Sequence, residues 1–573
     1  MASVTRSQKG NFAEKQFVDV DDIDDYDSLF DSDSDSIGSL SSKSEDAACV
    51  YENDVDMEEE WSSDVKPIRQ FSFSSDPKGK VIVDITIANT PREVFDEIFT
   101  DNIMEMIVTA TNEYGRDLYA KPVPVTRKSP KTIFRDTDTN EMYKFLGLSL
   151  LMAQCKFPTI RNAFSKHPLY FHPVFPVTLS GRRYQMLLRS FNCHTPPRED
   201  EKQDKLVKVN RLVDALLISF RAAYIPSINL SLDESLLLFR GRLSIRQYIK
   251  TKAAKYGVKF YELTTSDGYV LNIFIYQGDQ GNDNSVESGG KTEKLVKTLM
   301  APYLDKGHKL FMDNFYNSVS LSKYLLSKNT HVTGTLRANR KQNPKEVIQA
   351  KLKKGDMIWR RNGEVYVTKW RDKRDVLSIT TYHTITHHPQ LIQASNRFGE
   401  LKLKPNDVAD YNNNMGGIDR LDQMTAYFSS PRKTIRWYKK VLFHLLDMAV
   451  WNSYFLNKKF HLKSTFLQFR ESLIMSMIQC SSHDGRQLVD MISSSGRPIS
   501  NISGTVSEKE ESAESHRLEK IPAPSTFKPN YYKRCKNCSK NKIRKDTCHN
   551  AVAVLGSLPF VPNASTLTTH KNN

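Results

Sequence analysis

Four aspartates stand where the local pattern begins or ends an element: Asp233 on the polar side of one strand, Asp313 at the end of another, and Asp419 with Asp422 near the start of a helix. Carboxylates arriving from separate elements are what two divalent ions need to bridge a scissile phosphate, because a hard cation takes oxygen ligands and otherwise stays hydrated. Asp419 and Asp422 are three apart, so a helix puts them on one face, and Gly416 and Gly417 just before them permit close backbone approach. Two like charges on one face are costly unless a cation lies between them. Each acid also has a plainer reading. Asp233 with Glu234 reads as a strand end, Asp313 with Asn314 as a helix cap, and Asp419 with Asp422 as partners for Arg420 and nearby bases. Spacing alone does not bring the four together; the elements that carry them must.

Those elements are legible as hydrophobic periodicity. INLSLDESLLLF puts Ile228, Leu230 and Leu232 on one face and Asn229, Ser231 and Asp233 on the other, the period of a strand. Two more strands are predicted over about 254–263 and 269–276, joined through Ser266, Asp267 and Gly268. A helix (about 292–301), a strand (308–313), a helix (318–326) and a strand (332–337) follow, which describes a mixed sheet flanked by helices. Three short strands, about 357–360, 365–370 and 376–381, form a β-rich insertion, the first pair turning at Asn362-Gly363. Before the sheet, apolar residues between about 83 and 197 recur at helical spacing; after it, helices are predicted over about 435–456 and 465–477.

Charge points to the partner. The chain has 573 residues with 82 Lys+Arg against 66 Asp+Glu, a net charge of +16. Residues 1–64 hold 19 acids and 4 bases, a local balance of −15, so the remaining 509 carry +31. A body of that charge suits a polyanion, and nucleic acid leads, with a solvating surface as the plain alternative. The acidic stretch from Asp19 to Glu60 is too poor in apolar residues to order itself and reads as a disordered tail. No apolar run approaches the roughly 18 residues of a membrane span, and Met1 to Lys15 has no signal-like segment, so neither membrane insertion nor export is expected. Seven scattered cysteines make no disulfide framework, and the chain reads as intracellular and reduced. Only Cys535 and Cys538 have metal-ligand spacing; His383, His387 and His388 lie at the exit of a strand beside Pro389 and do not align as ligands.

The stretches LSLDESLLLFRGRLSIRQYIKTKAAKYGVKFYEL, LFMDNFYNSVSLSKYLL, GTLRANR and DYNNNMGGIDRLDQM, followed by RKTIRWYKKVLFHLL, resemble the piggyBac family of DNA transposases in type and order, over roughly residues 83–456. The resemblance implies an α/β fold with an RNase H-like catalytic domain, a mixed sheet with flanking helices, interrupted by a β-rich insertion. Carried over by motif, Asp233, Asp313 and Asp419 are the expected catalytic acids and Asp422 an additional metal-site carboxylate, holding two Mg²⁺ or Mn²⁺ ions. The implied reaction is cut-and-paste transposition, with strand cleavage and transfer at TTAA sites through hairpin ends. Transposon ends and target are double-stranded DNA, the expected assembly is a homodimer, and the expected location is the nucleus.

The implied organisation is an acidic tail (1–80), a helical DNA-binding and dimerisation domain in two parts (81–227 and 429–492), a catalytic domain in two parts (228–343 and 406–428) around the insertion (344–405), a linker (493–528) and a cysteine-rich tail (529–573). Trp437 falls where the family has a tryptophan near its last acid, suited to stack on an unpaired base, or else anchors its helix in the core. Arg337, Arg340 and Lys341 match a basic stretch used on target DNA. Arg240, Arg242, Arg246, Lys250, Lys252 and Lys255 are candidate groove-lining residues, or a solvated face. The family's cysteine-rich domain holds two zinc ions. Here Cys535, Cys538 and Cys548, with His549 or His570, supply at most one site, and the alternative is a basic tail serving nuclear import or phosphate contact. This difference keeps open a second function, a domesticated DNA-binding protein that no longer mobilises DNA.

Overall fold

Alternating burial builds the centre of the molecule. In a computed structural model, which describes residues 60–120, 133–194, 204–278, 290–385 and 404–479 apart from a few single positions, together with short strands elsewhere, the segment read from Ile228 onward is a ten-residue strand, β1 (Asn229–Leu238). Around it lies one nine-stranded sheet. Its other members are β2 (Gln247–Tyr248), β3 (Tyr256–Thr265), β4 (Val270–Ile275), β5 (Lys309–Met312), β6 (His331–Thr335), β7 (Met357–Asn362), β8 (Val365–Arg371) and β9 (Asp375–Thr380). The order is β2-β3-β1-β5-β6-β9-β8-β7, with β4 also on β3. β1, β5 and β6 run parallel, and the remaining pairings are antiparallel, so the sheet is mixed as expected.

The three strands read as an insertion are continuous with this sheet. β9 pairs with β6 through Ser378–Thr335, Ile379–Gly334 and Thr380–Thr333, and β8 and β7 follow outward as an antiparallel ribbon. The reason is visible in β8: Val365, Tyr366, Val367, Thr368, Lys369 and Trp370 are all buried, so both faces are covered. Part of the cover comes from upstream chain. Residues 60–80 belong to the folded body, which corrects the boundary of the acidic tail; residues 1–59 lie outside the described part. Ile68 packs with Trp359 and Tyr366, the amide of Lys66 donates to Tyr366 Oη at 2.8 Å, and Phe71 stacks on His331 at 4.5 Å. Three aromatics and an isoleucine in this stretch, Trp61, Ile68, Phe71 and Phe73, are buried or half-buried and supply the apolar surface that holds it to the body.

Helices on either side of the sheet in sequence come together in space. α1 (Pro91–Ile98), α2 (Asp101–Ala120), α3 (Thr139–Cys155), α4 (Gly181–Ser190) and α5 (Asn210–Ala223) precede it. α6 (Lys291–Met300) and α7 (Val319–Ser327) lie within it, and α8 (Asn406–Asn414), α9 (Gly417–Tyr427), α10 (Trp437–Phe460) and α11 (Phe466–Ile478) follow. α1 contacts both α10 and α11, and α3 contacts α11, so the two halves of the expected helical domain share one core. α10 is buried at every position from Val441 to Asn457, the mark of a helix enclosed on all sides. At its centre the Asp447 carboxylate accepts from the Ser430 amide (2.8 Å) and hydroxyl (2.6 Å) and lies 3.8 Å from the equally buried Arg470. No helix among the described residues is long and apolar enough to cross a membrane. Residues 497–573 form a separate unit, with a three-stranded antiparallel sheet (Arg517–Lys520, His549–Ala553, Gly556–Pro559) and a two-stranded ladder (Lys533–Arg534 with Asp546–Thr547).

Candidate active site

The register of three strands and the height of one helix set the site. β1 and β5 are parallel, with Leu232 level with Met312, so Asp233 and Asp313 follow at the same level on adjacent strands. Across the antiparallel β1–β3 pair, Ser231 faces Thr264 and Asp233 faces Glu262. Directly opposed residues share a face, so these four side chains form one polar row. Ser231 Oγ and Thr264 Oγ1 are 2.9 Å apart. The N-terminus of α9 lies against this row. A Cβ on Gly417 would stand 2.4 Å from Thr264 Oγ1, 2.5 Å from the Thr265 carbonyl oxygen and 2.6 Å from Ser231 Oγ, so only glycine lets the helix sit this low. That contact is the close approach expected of the Gly-Gly pair, although Gly416 itself faces open space. Asp419 and Asp422 ride on this helix.

The turn after β5 is held by side chains. Asp313 Oδ1 accepts from the Phe315 amide at 2.8 Å, and Asn317 Nδ2 donates to the carbonyls of Met312 (2.9 Å), Asp313 (3.2 Å) and Thr335 (2.9 Å). Asp233 Oδ1 accepts from the amide of Glu234 at 2.8 Å, and Tyr316 Oη donates to Glu234 Oε2 at 3.2 Å.

Electrostatics ties the acids into one cluster. Burial, then the charge of Glu234 and more weakly that of Asp313, pushes the Asp233 carboxyl up to about 7. Burial together with Asp419 raises Asp422 to about 6. Asp313 is raised by burial and by Glu234. Glu262, fully buried, is pushed up to about 8 by burial, then by Asp422 and Asp233. One cation opposes all four: the Lys252 ammonium, which donates to the Glu234 carbonyl at 2.8 Å, favours the charged form of Asp233, Glu262, Asp313 and Asp422. A set of buried, mutually repelling carboxylates with one ammonium is a hard oxygen donor set short of positive charge, which fits a divalent cation. As placed, no three of His, Cys, Asp or Glu among the described residues are gathered closely enough to hold one ion.

The other candidates fall in distinct places. Arg337 is exposed beside the Asp313 turn, its Nε donating to Asn314 Oδ1 at 3.1 Å; the Arg340 guanidinium donates to the Phe315 carbonyl, and Lys341 is exposed. Arg240, Arg242, Lys250 and Lys255 are exposed, and Arg246 is tied to the carbonyls of Arg240 and Gly241. Lys252 differs from its neighbours by turning in among the acids. Trp437 is half-buried at the first turn of α10 and packs against the main core. His383 bonds Asp410 Oδ2 at 2.8 Å. Cys535, Cys538 and Cys548 and residues His387, His388 and His570 lie outside the described residues, and only the backbone of His549 is described. Glu262 escaped the sequence reading; its one signal is an acid inside the otherwise apolar and hydroxylic run FYELTT.

Fold and site define the class: an α/β protein with a mixed sheet and a carboxylate cluster beneath a covering helix. The family follows from comparison. The model of the Transposase IS4 family matches residues 90–454, and the chain belongs to that family, in its piggyBac-type branch. It is 24% identical over 410 residues to the human PiggyBac transposable element-derived protein 3, covering 70% of this chain and 66% of the relative, a little under two thirds of that protein. The human PiggyBac transposable element-derived protein 2 is 23% identical over 386 residues, covering 64% of this chain and 62% of the relative. A cryo-EM structure of a piggyBac transposase synaptic complex with hairpin DNA superposes with a TM-score of 0.61 at 25% identity, covering 75% of this chain and 90% of that one.

Proposed function

We propose that this chain is a cut-and-paste DNA transposase that cleaves and joins DNA at TTAA sites through hairpin ends, in the nucleus and as a homodimer. The observation that carries the reading is the common level of Asp233 and Asp313 on adjacent parallel strands beneath the helix that bears Asp419 and Asp422. The similar solved protein is in a synaptic complex with hairpin DNA, which supports DNA as the substrate.

In this reading Asp233, Asp313 and Asp419 are the catalytic acids, Asp422 supports them, and the four would hold two Mg²⁺ or Mn²⁺ ions. Held there, such ions would supply activation of the attacking water or hydroxyl and stabilisation of the leaving oxygen, so no covalent protein intermediate would be needed. The protein's part is placement. Asn317 locks the Asp313 turn to β6, Gly417 sets the height of α9 over β1 and β3, and Lys252 moderates the repulsion among the acids. Arg240, Arg242, Lys255, Arg337, Arg340 and Lys341 contribute phosphate contacts, which supply affinity and little sequence information. Trp437 offers a ring for an unpaired base at a hairpin tip.

The test uses purified protein and duplex DNA ending in the repeats that flank its own gene. Nicks and hairpins that require Mg²⁺ or Mn²⁺ and vanish in Asp313→Asn support the reading. Retained DNA binding without cleavage would instead assign the domesticated DNA-binding function.

A further inference from the structure

One carboxylate has no place in the four-acid scheme. Glu262 lies on β3, directly opposite Asp233, and none of it reaches solvent. Its Oε1 accepts from the Ser235 hydroxyl at 2.5 Å, which fixes the carboxyl plane. Its Oε2 is buried and has no hydrogen-bond partner among the described residues. An orphaned carboxylate oxygen in a core is costly, and it is kept only where something else meets it. The groups that act on Glu262 electrostatically are Asp422, Asp233 and Lys252, all members of the acid cluster. Glu262 shares the polar row of Ser231, Asp233 and Thr264, the row on which Gly417 seats α9.

We propose that Glu262 is a fifth carboxylate of the site, whose free Oε2 becomes a ligand to a divalent cation held between β3 and Asp422. The proposal rests on the four-acid reading of the site and adds to it. A glutamate reaching from the neighbouring strand supplies an oxygen on the side of Asp233 away from Asp313. Ser235 then acts as the positioning residue, holding Oε1 so that Oε2 is presented. The ammonium of Lys252 and a cation would neutralise the same group of charges, so cation binding and the Lys252 contact are alternatives in part.

The experiment measures Mn²⁺ binding to the full chain without DNA, by electron paramagnetic resonance of free Mn²⁺ and by the shift in melting temperature. Four proteins are compared: wild type, Asp233→Asn, Glu262→Gln and Ser235→Ala. The expected result is binding by wild type, loss in Asp233→Asn, and about 10-fold or greater weakening in Glu262→Gln. Without Mn²⁺ at a pH above about 8, where Glu262 is charged, Glu262→Gln is expected to melt at or above the wild-type temperature, because a buried charge repelled by Asp422 and Asp233 has been removed. Loss in Asp233→Asn with wild-type affinity in Glu262→Gln would overturn this proposal and leave the four-acid reading standing. Wild-type protein that binds no Mn²⁺ would overturn both. Should Glu262→Gln fail to fold, Ser235→Ala decides: about 10-fold weaker binding supports the proposal, and unchanged affinity overturns it.

Discussion

Gly417 is the position where a single methyl group tests how the site is assembled. A Cβ there would meet Thr264 Oγ1 at 2.4 Å, the Thr265 carbonyl oxygen at 2.5 Å and Ser231 Oγ at 2.6 Å, whereas ordinary contact begins near 3.4 Å. One of the three is backbone at the end of β3, where it accepts from the Gly268 amide at 2.9 Å, and the two hydroxyls bond each other, so none can swing clear without breaking an interaction. The first turn of α9 must then rise by about 1 Å. Overpacking of this kind costs about 1–3 kcal/mol. The helix carries Asp419 and Asp422 with it, and a displacement of about 1 Å at reacting groups is worth roughly 100-fold in rate. Gly417→Ala should therefore lower the melting temperature modestly and cut strand cleavage about 100-fold, while Gly416→Ala, whose Cβ meets nothing within 4 Å, should leave both near wild type. Thermal melts and gel-resolved cleavage of a labelled duplex check both variants. Wild-type cleavage by Gly417→Ala would refute the argument that the seating of α9 positions the acids.

Three further outcomes follow from the same structure. Lys252→Met removes the ammonium shared by Asp233, Glu262, Asp313 and Asp422, so the metal-free protein should melt lower at pH 8, and added Mn²⁺ should recover more stability than in wild type, read by scanning calorimetry. Asp447 is pushed up to about 6 by burial, from an ordinary 3.8; its contribution is therefore full below about pH 3.8 and is lost as pH rises through about 6. Arg470→Met should accordingly cost about 3–5 kcal/mol at pH 7.5, where Asp447 is left charged and unpaired, and clearly less at pH 5, measured by urea unfolding. Arg183 grips both oxygens of Glu141 (2.8 and 2.6 Å) and the Arg135 carbonyl (2.7 Å), tying α4 to α3, so Arg183→Met should destabilise by about 1–3 kcal/mol on the same assay, whereas the exposed Arg240→Met should change stability by less than about 0.5 kcal/mol.

The sheet was legible because its strands announce themselves locally. The alternation from Ile228, the turn at Ser266–Gly268 and the Asn362-Gly363 hairpin all encode their own geometry within a few residues, and the observed strands lie where those signals put them. Sheet order is a different kind of information. Nothing in Val376–Thr381 says that β9 pairs with β6, because that pairing depends on burial of both faces of the neighbouring β8 by distant chain, Ile68 on the side of Tyr366 and Val319, Leu336 and Val347 on the side of Val365 and Val367. The same distinction holds in the site. Asp313, just past the end of β5, and Asp419, in the first turn of α9, could be picked out by position, and Asp233, within β1, and Asp422, within α9, by motif. Glu262 and the inward turn of Lys252 exist only through register: Glu262 opposite Asp233, and Lys252 bonded to the carbonyl of Glu234. Gly417 was legible as a close approach, but what it approaches, two hydroxyls and a carbonyl of β1 and β3, was not.

The central claim is that Asp233, Asp313 and Asp419 together cut DNA, and excision in cells tests it most directly. A reporter flanked by the repeats that border this gene would be paired with wild-type protein and with Asp313→Asn. The account predicts excision with repair to TTAA in the first case and background in the second, with equal protein levels. Excision that persists in Asp313→Asn would contradict it.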